Sequence, residues 1–286
     1  MNRDKFIKKG KRLKRIVTFL FKLRFWKRIK GEEHFVDTSH GKIKVLEYGF
    51  ISSEVTLLYV DMHGGGFLLM FADFDEPMNL YFREKANVKI ISIDYPKTPE
   101  SPYPIAVEAV FEVVKHYVDN ATAYKIDSDR IGIGGHSAGA NVATVTCIKA
   151  KEKGGPPFRF QILDYPPLDL STDPSKKPLP EKSLTSKLAV TFNTCYTDVE
   201  TAKSPYVSPV FATTKQLSHL PPALLIVAGY DSLHDEGVLF HQKLKKAGVT
   251  TEFYDFPEVR HGFTYKKSSD AKKAHALIAE IIKKYA

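Results

Sequence analysis

The feature that most restricts this chain is an alternation of two patterns. Short β-rich runs at Lys42–Tyr48, Val55–Asp61, Val88–Asp94, Arg130–Gly134, Arg159–Leu163, Ala223–Ala228 and Thr251–Phe256 are interspersed with helical patterns at about Pro104–Tyr117, Ala138–Lys151, Glu236–Lys246 and Asp270–Lys284. A run such as Ala223-Leu224-Leu225-Ile226-Val227 has no polar face, as befits a strand covered on both sides. This rhythm predicts an α/β fold with a mostly parallel central sheet and helices on both faces. At 286 residues the chain suits one large α/β domain over 1–286. Residues 166–222 break the rhythm. They are rich in Pro, Ser, Thr and Lys, and they read as an excursion off the sheet with helices around Ser183–Phe192 and Glu200–Ala202.

Within that frame one junction carries chemistry. Ile131-Gly132-Ile133-Gly134-Gly135-His136-Ser137-Ala138-Gly139-Ala140 is a strand pattern, then Gly-x-Ser-x-Gly, then a helix pattern. In this context Ser137 occupies a sharp strand-to-helix turn, where neighbouring backbone comes too close for side chains at the −2 and +2 positions. The helix beginning at Ala138 offers a free backbone N–H and a positive dipole end to a developing oxyanion. His136 is a poor base for Ser137, because adjacent side chains on a tight turn point apart; a structural hydrogen bond suits it better.

A second loop, Val60-Asp61-Met62-His63-Gly64-Gly65-Gly66-Phe67, follows an earlier strand. Its glycines leave backbone N–H groups open to close approach, and no Gly-Lys-Ser/Thr follows, which excludes a nucleotide-phosphate loop of the Walker type. Read with the elbow, the loop predicts an oxyanion hole formed by Gly64, Gly65 and Ala138, with His63 anchoring the loop. A serine nucleophile also needs an imidazole base and an acid to hold it. Asp231 follows the most apolar strand pattern, and His261 follows the last. The order Ser137, Asp231, His261 is that of an α/β-hydrolase. Asp235 competes as the acid but reads as a helix N-cap. The remaining histidines read as surface residues, and Phe67, Phe71, Phe74 and Tyr165 are candidates to narrow a pocket.

The charge is not distributed like that of a nucleic-acid-binding fold. Residues 1–30 hold 13 Lys/Arg and one acid, leaving 29 bases against 32 acids in the rest. The body is slightly acidic, so nucleic acid is not an expected partner. The longest uncharged apolar run in the N-terminal segment, Ile16 to Phe21, is too short for a membrane span or a signal h-region. A cytoplasmic protein is expected. Leu13, Ile16, Val17, Leu20 and Leu23 fall on one helical face, which makes residues 1–30 a candidate peripheral membrane contact, against the simpler reading of a helix packed on the domain with its bases solvated. Two cysteines, Cys147 and Cys195, are too few for a disulfide scaffold or a cysteine metal cluster. A homo-oligomer stays open.

Several ordered motifs resemble the hormone-sensitive-lipase branch of the α/β-hydrolase esterases across about residues 55–265. They are HGGGF at 63–67, DYPKTPESPYP at 94–104, GHSAGA at 135–140, YDSLHDEG at 230–237 and HGF at 261–263. The resemblance implies Ser137 as nucleophile, Asp231 as acid and His261 as base. It further implies hydrolysis of a small-molecule carboxylic ester, of short or medium acyl chain, without metal or cofactor. It also implies a helical cap built from about residues 1–35 and 166–215. The chain departs from the family pattern at His136, where an acidic residue is usual, at Ala140 in place of a glycine and at Ser232 in place of a proline. Alternatives are an amidase or formamidase on the same triad, a membrane-surface lipase, and a ligand receptor on a hydrolase scaffold. The last is disfavoured because the triad members are all present.

Overall fold

The computed structural model describes residues 3–24, 29–181 and 183–286, with side chains described outside 21–24. Phe25 and Trp26 of the N-terminal segment, and the side chain of Leu23, fall outside that description.

Eight strands form one sheet in the order β1-β2-β4-β3-β5-β6-β7-β8. They are β1 Glu32–Thr38, β2 Gly41–Tyr48, β3 Thr56–Met62, β4 Lys89–Ile93, β5 Ile126–His136, β6 Phe158–Asp164, β7 Ala223–Tyr230 and β8 Thr251–Arg260. The six from β3 to β8 are mutually parallel, and β1 and β2 add an antiparallel edge. The expected mostly parallel sheet is therefore present, and seven expected strands appear within a few residues of their predicted ends. β1 was not foreseen. Along Glu32–Thr38 only Val36 is buried, so the edge strand carries no apolar run to read.

The helices are α1 Arg3–Arg24, α2 Glu76–Ala86, α3 Ile105–Asp119, α4 Ala121–Tyr124, α5 Ala138–Lys153, α6 Ser186–Tyr196, α7 Thr214–Leu217, α8 His234–Lys246 and α9 Ser269–Tyr285. They cover two separate apolar cores. One face of the sheet packs Val60, Ile91 and Ile133 against Val110 of α3, Ala143 of α5 and Phe240 of α8. The other packs Tyr59, Phe160 and Ile162 against Phe82 of α2 and Ile278 and Ile282 of α9. The alternate glycines of β5 serve the second core. A Cβ on Gly132 would lie 2.1 Å from the Phe160 ring, and one on Gly134 would lie 2.3 Å from Tyr59 Oη. Helix α2 was missed, although Met78, Phe82 and Ala86 recur on one face behind Pro77.

The excursion over residues 166–222 contains α6 where a helix was expected, whereas residues 200–202 form turns. Two buried side chains fasten it to the body. Glu236 of α8 accepts the Leu168 N–H at 2.7 Å and pairs with Lys177, and Asn141 of α5 donates to Pro167 O and Val207 O. Helix α1 lies against α6, with Gly10 at the crossing: a Cβ there would meet Cys195 Sγ at 2.5 Å. Lys14 completes the attachment by donating to Thr98 O at 3.1 Å and Glu100 at 2.7 Å.

The apolar face suggested by spacing is split in α1: Leu13 and Val17 lie on the packed side, whereas Ile16 and Leu20 do not. Gly10 is buried and Phe6, Leu13, Lys14 and Val17 are half-buried, while Ile16, Phe19 and Leu20 are 45, 62 and 57 % exposed. A glycine allows the closest helix–helix approach, so it fixed the contact face in preference to the longer apolar side chains. No helix among the described residues is long and apolar enough to cross a membrane. Cys147 and Cys195 are both free and buried.

Candidate active site

Parallel strands end at one edge of the sheet, and the loops leaving β3, β5, β6, β7 and β8 converge there. Ser137 stands between the end of β5 and the start of α5 with φ 52° and ψ −118°. A non-glycine residue in such a conformation costs on the order of 1–3 kcal/mol and persists only where its surroundings impose it. Two glycines impose it here. A Cβ on Gly135 would lie 2.5 Å from Met62 O, and one on Gly139 would lie 2.0 Å from the same oxygen. The Ser137 N–H donates to Asp164 O at 2.8 Å, which pins the turn to the end of β6.

The structure brings Ser137, His261 and Asp231 into one hydrogen-bonded line. His261 Nε2 lies 2.8 Å from Ser137 Oγ, and His261 Nδ1 lies 2.6 Å from Asp231 Oδ2. Asp231 is buried directly after β7, and its second oxygen accepts the Leu233 N–H at 3.1 Å. Burial works against the charged imidazole of His261. The charge and hydrogen bond of Asp231, helped by Asp164 and Glu236, outweigh it and raise its pKa above the ordinary value. Asp235, the competing acid, is in the first turn of α8 beside His234 with its side chain 72 % exposed; the residue at the N-cap is Leu233.

The glycine loop lies against the nucleophile. A Cβ on Gly64 would sit 3.5 Å from Ser137 Cβ. The Gly64 N–H, however, donates to Tyr265 Oη at 3.2 Å, so the expectation that it faces an oxyanion does not hold in this structure. The Gly65, Gly66 and Ala138 N–H groups donate to no protein acceptor among the described residues. Gly65 and Gly66 both have positive φ, 107° and 62°, and Gly65 O closes a tight turn by accepting from Leu68 and Leu69. His63 is fully buried. Its Nδ1 donates to Gly64 O at 2.7 Å, its ring stacks on Tyr95 at 4.3 Å, and its Nε2 is 3.4 Å from Asp94. Burial outweighs that carboxylate and lowers the His63 pKa below its ordinary value.

His136 faces away from the Ser137 hydroxyl, into the protein. Its Nδ1 donates to Asp164 Oδ2 at 2.7 Å. Burial disfavours its charge, but Asp164, Asp75 and Asp61 together raise its pKa to about 9. Several residues that sequence reasoning missed complete this layer. Thr264 donates to Asp164 Oδ2 at 2.8 Å and contacts the Tyr165 hydroxyl, and the Tyr165 ring packs edge-on to His261 at 4.8 Å. His275, read as a surface residue, is half-buried and donates to Thr264 O at 2.9 Å. Phe67 and Tyr165, offered as pocket-narrowing aromatics, are both buried, with Phe67 stacked on Tyr196 at 3.7 Å. The ring that reaches the glycine loop from the excursion is Phe192 of α6; a Cβ on Gly66 would lie 2.3 Å from it.

Comparison with known proteins agrees with this architecture. Residues 59–265 match the family described as alpha/beta hydrolase fold. Among curated proteins, the chain is 32% identical over 205 residues to esterase LipI of Mycobacterium tuberculosis, covering 70% of this chain and 63% of LipI. It is 33% identical over 233 residues to carboxylic ester hydrolase LipN of the same organism, covering 78% and 61%. The match thus spans little more than six-tenths of either relative. Among solved structures, a hyperthermophilic esterase from the archaeon Pyrobaculum calidifontis superposes with a TM-score of 0.83 at 30% identity, covering 99% of this chain and 94% of that one. A thermostable esterase from Pseudomonas putida superposes with a TM-score of 0.86 at 26% identity, covering 96% and 90%. With its strand order, its nucleophile turn and this match over most of its length, the chain belongs to the alpha/beta hydrolase fold family, in the hormone-sensitive-lipase-like branch.

Proposed function

We propose that this protein is a serine carboxylesterase acting on carboxylic esters of short to medium acyl chain. The observation that carries the reading is the bridge made by His261, one nitrogen on Ser137 Oγ and the other on Asp231. The esterases named above support the ester class. In the proposed cycle Ser137 Oγ attacks the ester carbonyl carbon while His261 Nε2 takes its proton. Collapse of the tetrahedral species breaks the bond to the alcohol oxygen, which receives that proton, and leaves an acyl-Ser137. Water then attacks the acyl carbon with His261 again as base, releasing the acid and Ser137. Asp231 keeps Nδ1 protonated and stabilises the imidazolium. Oxyanion stabilisation is assigned to the N–H groups of Gly65 and Ala138, joined by Gly66 in place of Gly64. Helices α1 and α6 with the 166–215 excursion act as the cap.

The test is hydrolysis of nitrophenyl esters from acetate to a long acyl chain by the wild type and by Ser137→Ala. Activity on the short esters that falls by several orders of magnitude in the variant supports the reading. Activity on nitroanilides or formamides without ester turnover would move the site to the amidase class.

A second reading concerns where the enzyme works. Ile16, Phe19 and Leu20 are exposed on the outer face of α1, beside exposed Lys8, Arg12 and Arg15. Apolar side chains ringed by bases suit the surface of an anionic membrane. Co-sedimentation with anionic but not neutral vesicles, lost at high salt and in a Phe19→Ser/Leu20→Ser variant, supports that contact. Equal binding by both proteins would remove it.

A further inference from the structure

Behind the nucleophile lies a polar cluster that the proposed acyl transfer does not use. Asp61 at the end of β3, Asp75 at the close of a 3-10 turn and His136 at the end of β5 are 0, 0 and 2 % exposed. One donor atom from each lies within 4.8 Å of the other two. We propose that Asp61, Asp75 and His136 bind one divalent cation of the zinc or manganese class.

Four observations carry this. The first is Asp75: both of its carboxylate oxygens are buried without a hydrogen-bond partner among the described residues. The Tyr265 hydroxyl and the Asp61 carboxyl both stand near enough to Asp75 to act on it, yet neither of its oxygens meets a donor in full hydrogen-bond geometry. A carboxylate in that position is costly unless something positive satisfies it. The second is the way Asp61 is held. Its Oδ2 accepts from Asn79 at 2.9 Å and from Ser92 at 3.1 Å, whereas its Oδ1 has no hydrogen-bond partner and lies 3.9 Å from His136 Nε2.

The third observation is the orientation of His136. Its Nδ1 is fixed by Asp164 at 2.7 Å. A carboxylate on one imidazole nitrogen with a metal on the other is the arrangement that orients a metal-binding histidine and sets its tautomer. The fourth is charge. Asp61, Asp75 and Asp164 surround a single imidazole, whose one positive charge does not balance three carboxylates; a divalent cation that displaces the His136 Nε2 proton offsets more of that negative charge. Two oxygens and one nitrogen favour zinc or manganese over magnesium and calcium, which prefer all-oxygen sites. Around a tetrahedral ion with ligand bonds of about 2.1 Å, neighbouring ligand atoms stand roughly 3.4 Å apart, so the 3.9 Å gap needs to close by about half an ångström. The cation would tie β3, the 3-10 turn and β5 together next to Ser137. It serves the fold of the turn and takes no step in acyl transfer.

Because the site is buried, the ion is acquired during folding, so the test uses full-length protein purified without chelator from cells grown with added zinc and manganese. Elemental analysis is expected to find about one equivalent of metal in the wild type and at least tenfold less in Asp75→Asn and Asp61→Asn. His234→Ala, which alters a half-buried histidine beside Asp235 and Asp255 away from the cluster, keeps the metal. Anomalous diffraction from wild-type crystals should place the ion between Asp61 and His136, and this readout decides the matter if the variants do not fold. Folded wild type with less than about a tenth of an equivalent, metal retained in both variants, or an anomalous peak elsewhere overturns the proposal. Metal-free wild type that is no more heat-stable than Asp75→Asn also overturns it, and assigns the place between the carboxylates to a proton.

Discussion

Asp231 Oδ2 lies 2.6 Å from His261 Nδ1, and the other oxygen of the same carboxylate is held by the Leu233 N–H at 3.1 Å. The acid is thus fixed at both ends and holds the imidazole in the tautomer that leaves Nε2 facing Ser137. Asp231→Asn keeps the shape but can hold the wrong tautomer. It is expected to lower kcat by about 10⁴-fold, as an acid-to-amide change does in other triads.

The same pair sets the pH profile. His261 has its pKa raised above the ordinary 6.5, against burial, chiefly by Asp231. The base must be neutral to act, so activity is present above that raised pKa and is lost as pH falls through it. The acid limb of kcat/KM is expected above pH 6.5 in the wild type. In Asp231→Asn, where burial is no longer opposed by that charge, the limb should move to lower pH. A limb that stays in place would show that another group controls it.

The glycine loop separates two kinds of loss. Gly65 has φ 107°, and a Cβ on it would lie 2.3 Å from the backbone oxygen of Leu69, so Gly65→Ala must displace the loop. If Gly65 is an oxyanion donor, kcat should fall by about 10²–10³-fold with KM little changed. Tyr265→Phe removes the hydroxyl that accepts the Gly64 N–H and that also stands beside Asp75, without touching the Gly65 backbone. It is expected to cost about 1 kcal/mol of stability in a denaturant titration and to change kcat far less than Gly65→Ala. An equally large kcat loss in both variants would return Gly64 to the oxyanion site.

The sheet and the three residues of the hydrogen-bonded line were legible because each leaves a local trace. Buried parallel strands write apolar runs, and Ser137 and Asp231 follow such runs at the ends of β5 and β7, whereas His261 follows the half-exposed edge strand β8 and was legible from its place after the last strand pattern. What was illegible lacks local signal. Val36 alone is buried in β1, so the strand reads as loop. The packed face of α1 was set by Gly10 meeting Cys195, a long-range contact that outweighs the apolar spacing of Ile16 and Leu20. Tyr265 and Asp164 do their work through single hydrogen bonds to Gly64, His136 and Thr264, and nothing in the neighbouring sequence distinguishes them from other polar residues.

The elbow glycines allow a sharper stability test. A Cβ on Gly139 would stand 2.0 Å from Met62 O and 2.6 Å from His63 O, both backbone atoms that cannot turn aside. Gly139→Ala is expected to lose more than about 4 kcal/mol and to yield little folded protein, a size reserved for overpacking at a fixed site. Gly154→Ala is the contrast. Its added Cβ meets nothing within 4 Å, and only the positive φ of 64° resists it. About 1 kcal/mol is expected there, measured as a shift in the unfolding midpoint.

The reading of α1 and α6 as a cap makes its own prediction. Gly10 lets α1 approach α6, and the Phe192 ring of α6 rests on Gly66 of the glycine loop. Gly10→Val places its Cβ 2.5 Å from Cys195 Sγ and adds two methyls beyond, so α1 must move outward or α6 must shift over the loop. Neither change touches Ser137, His261 or Asp231. The result expected if α6 covers the acyl pocket is selective: kcat on nitrophenyl acetate within about twofold of wild type, with KM for the longer acyl esters changed several-fold. If all esters lose activity together, the contact supports folding rather than the pocket. If none changes, α1 is not part of the cap.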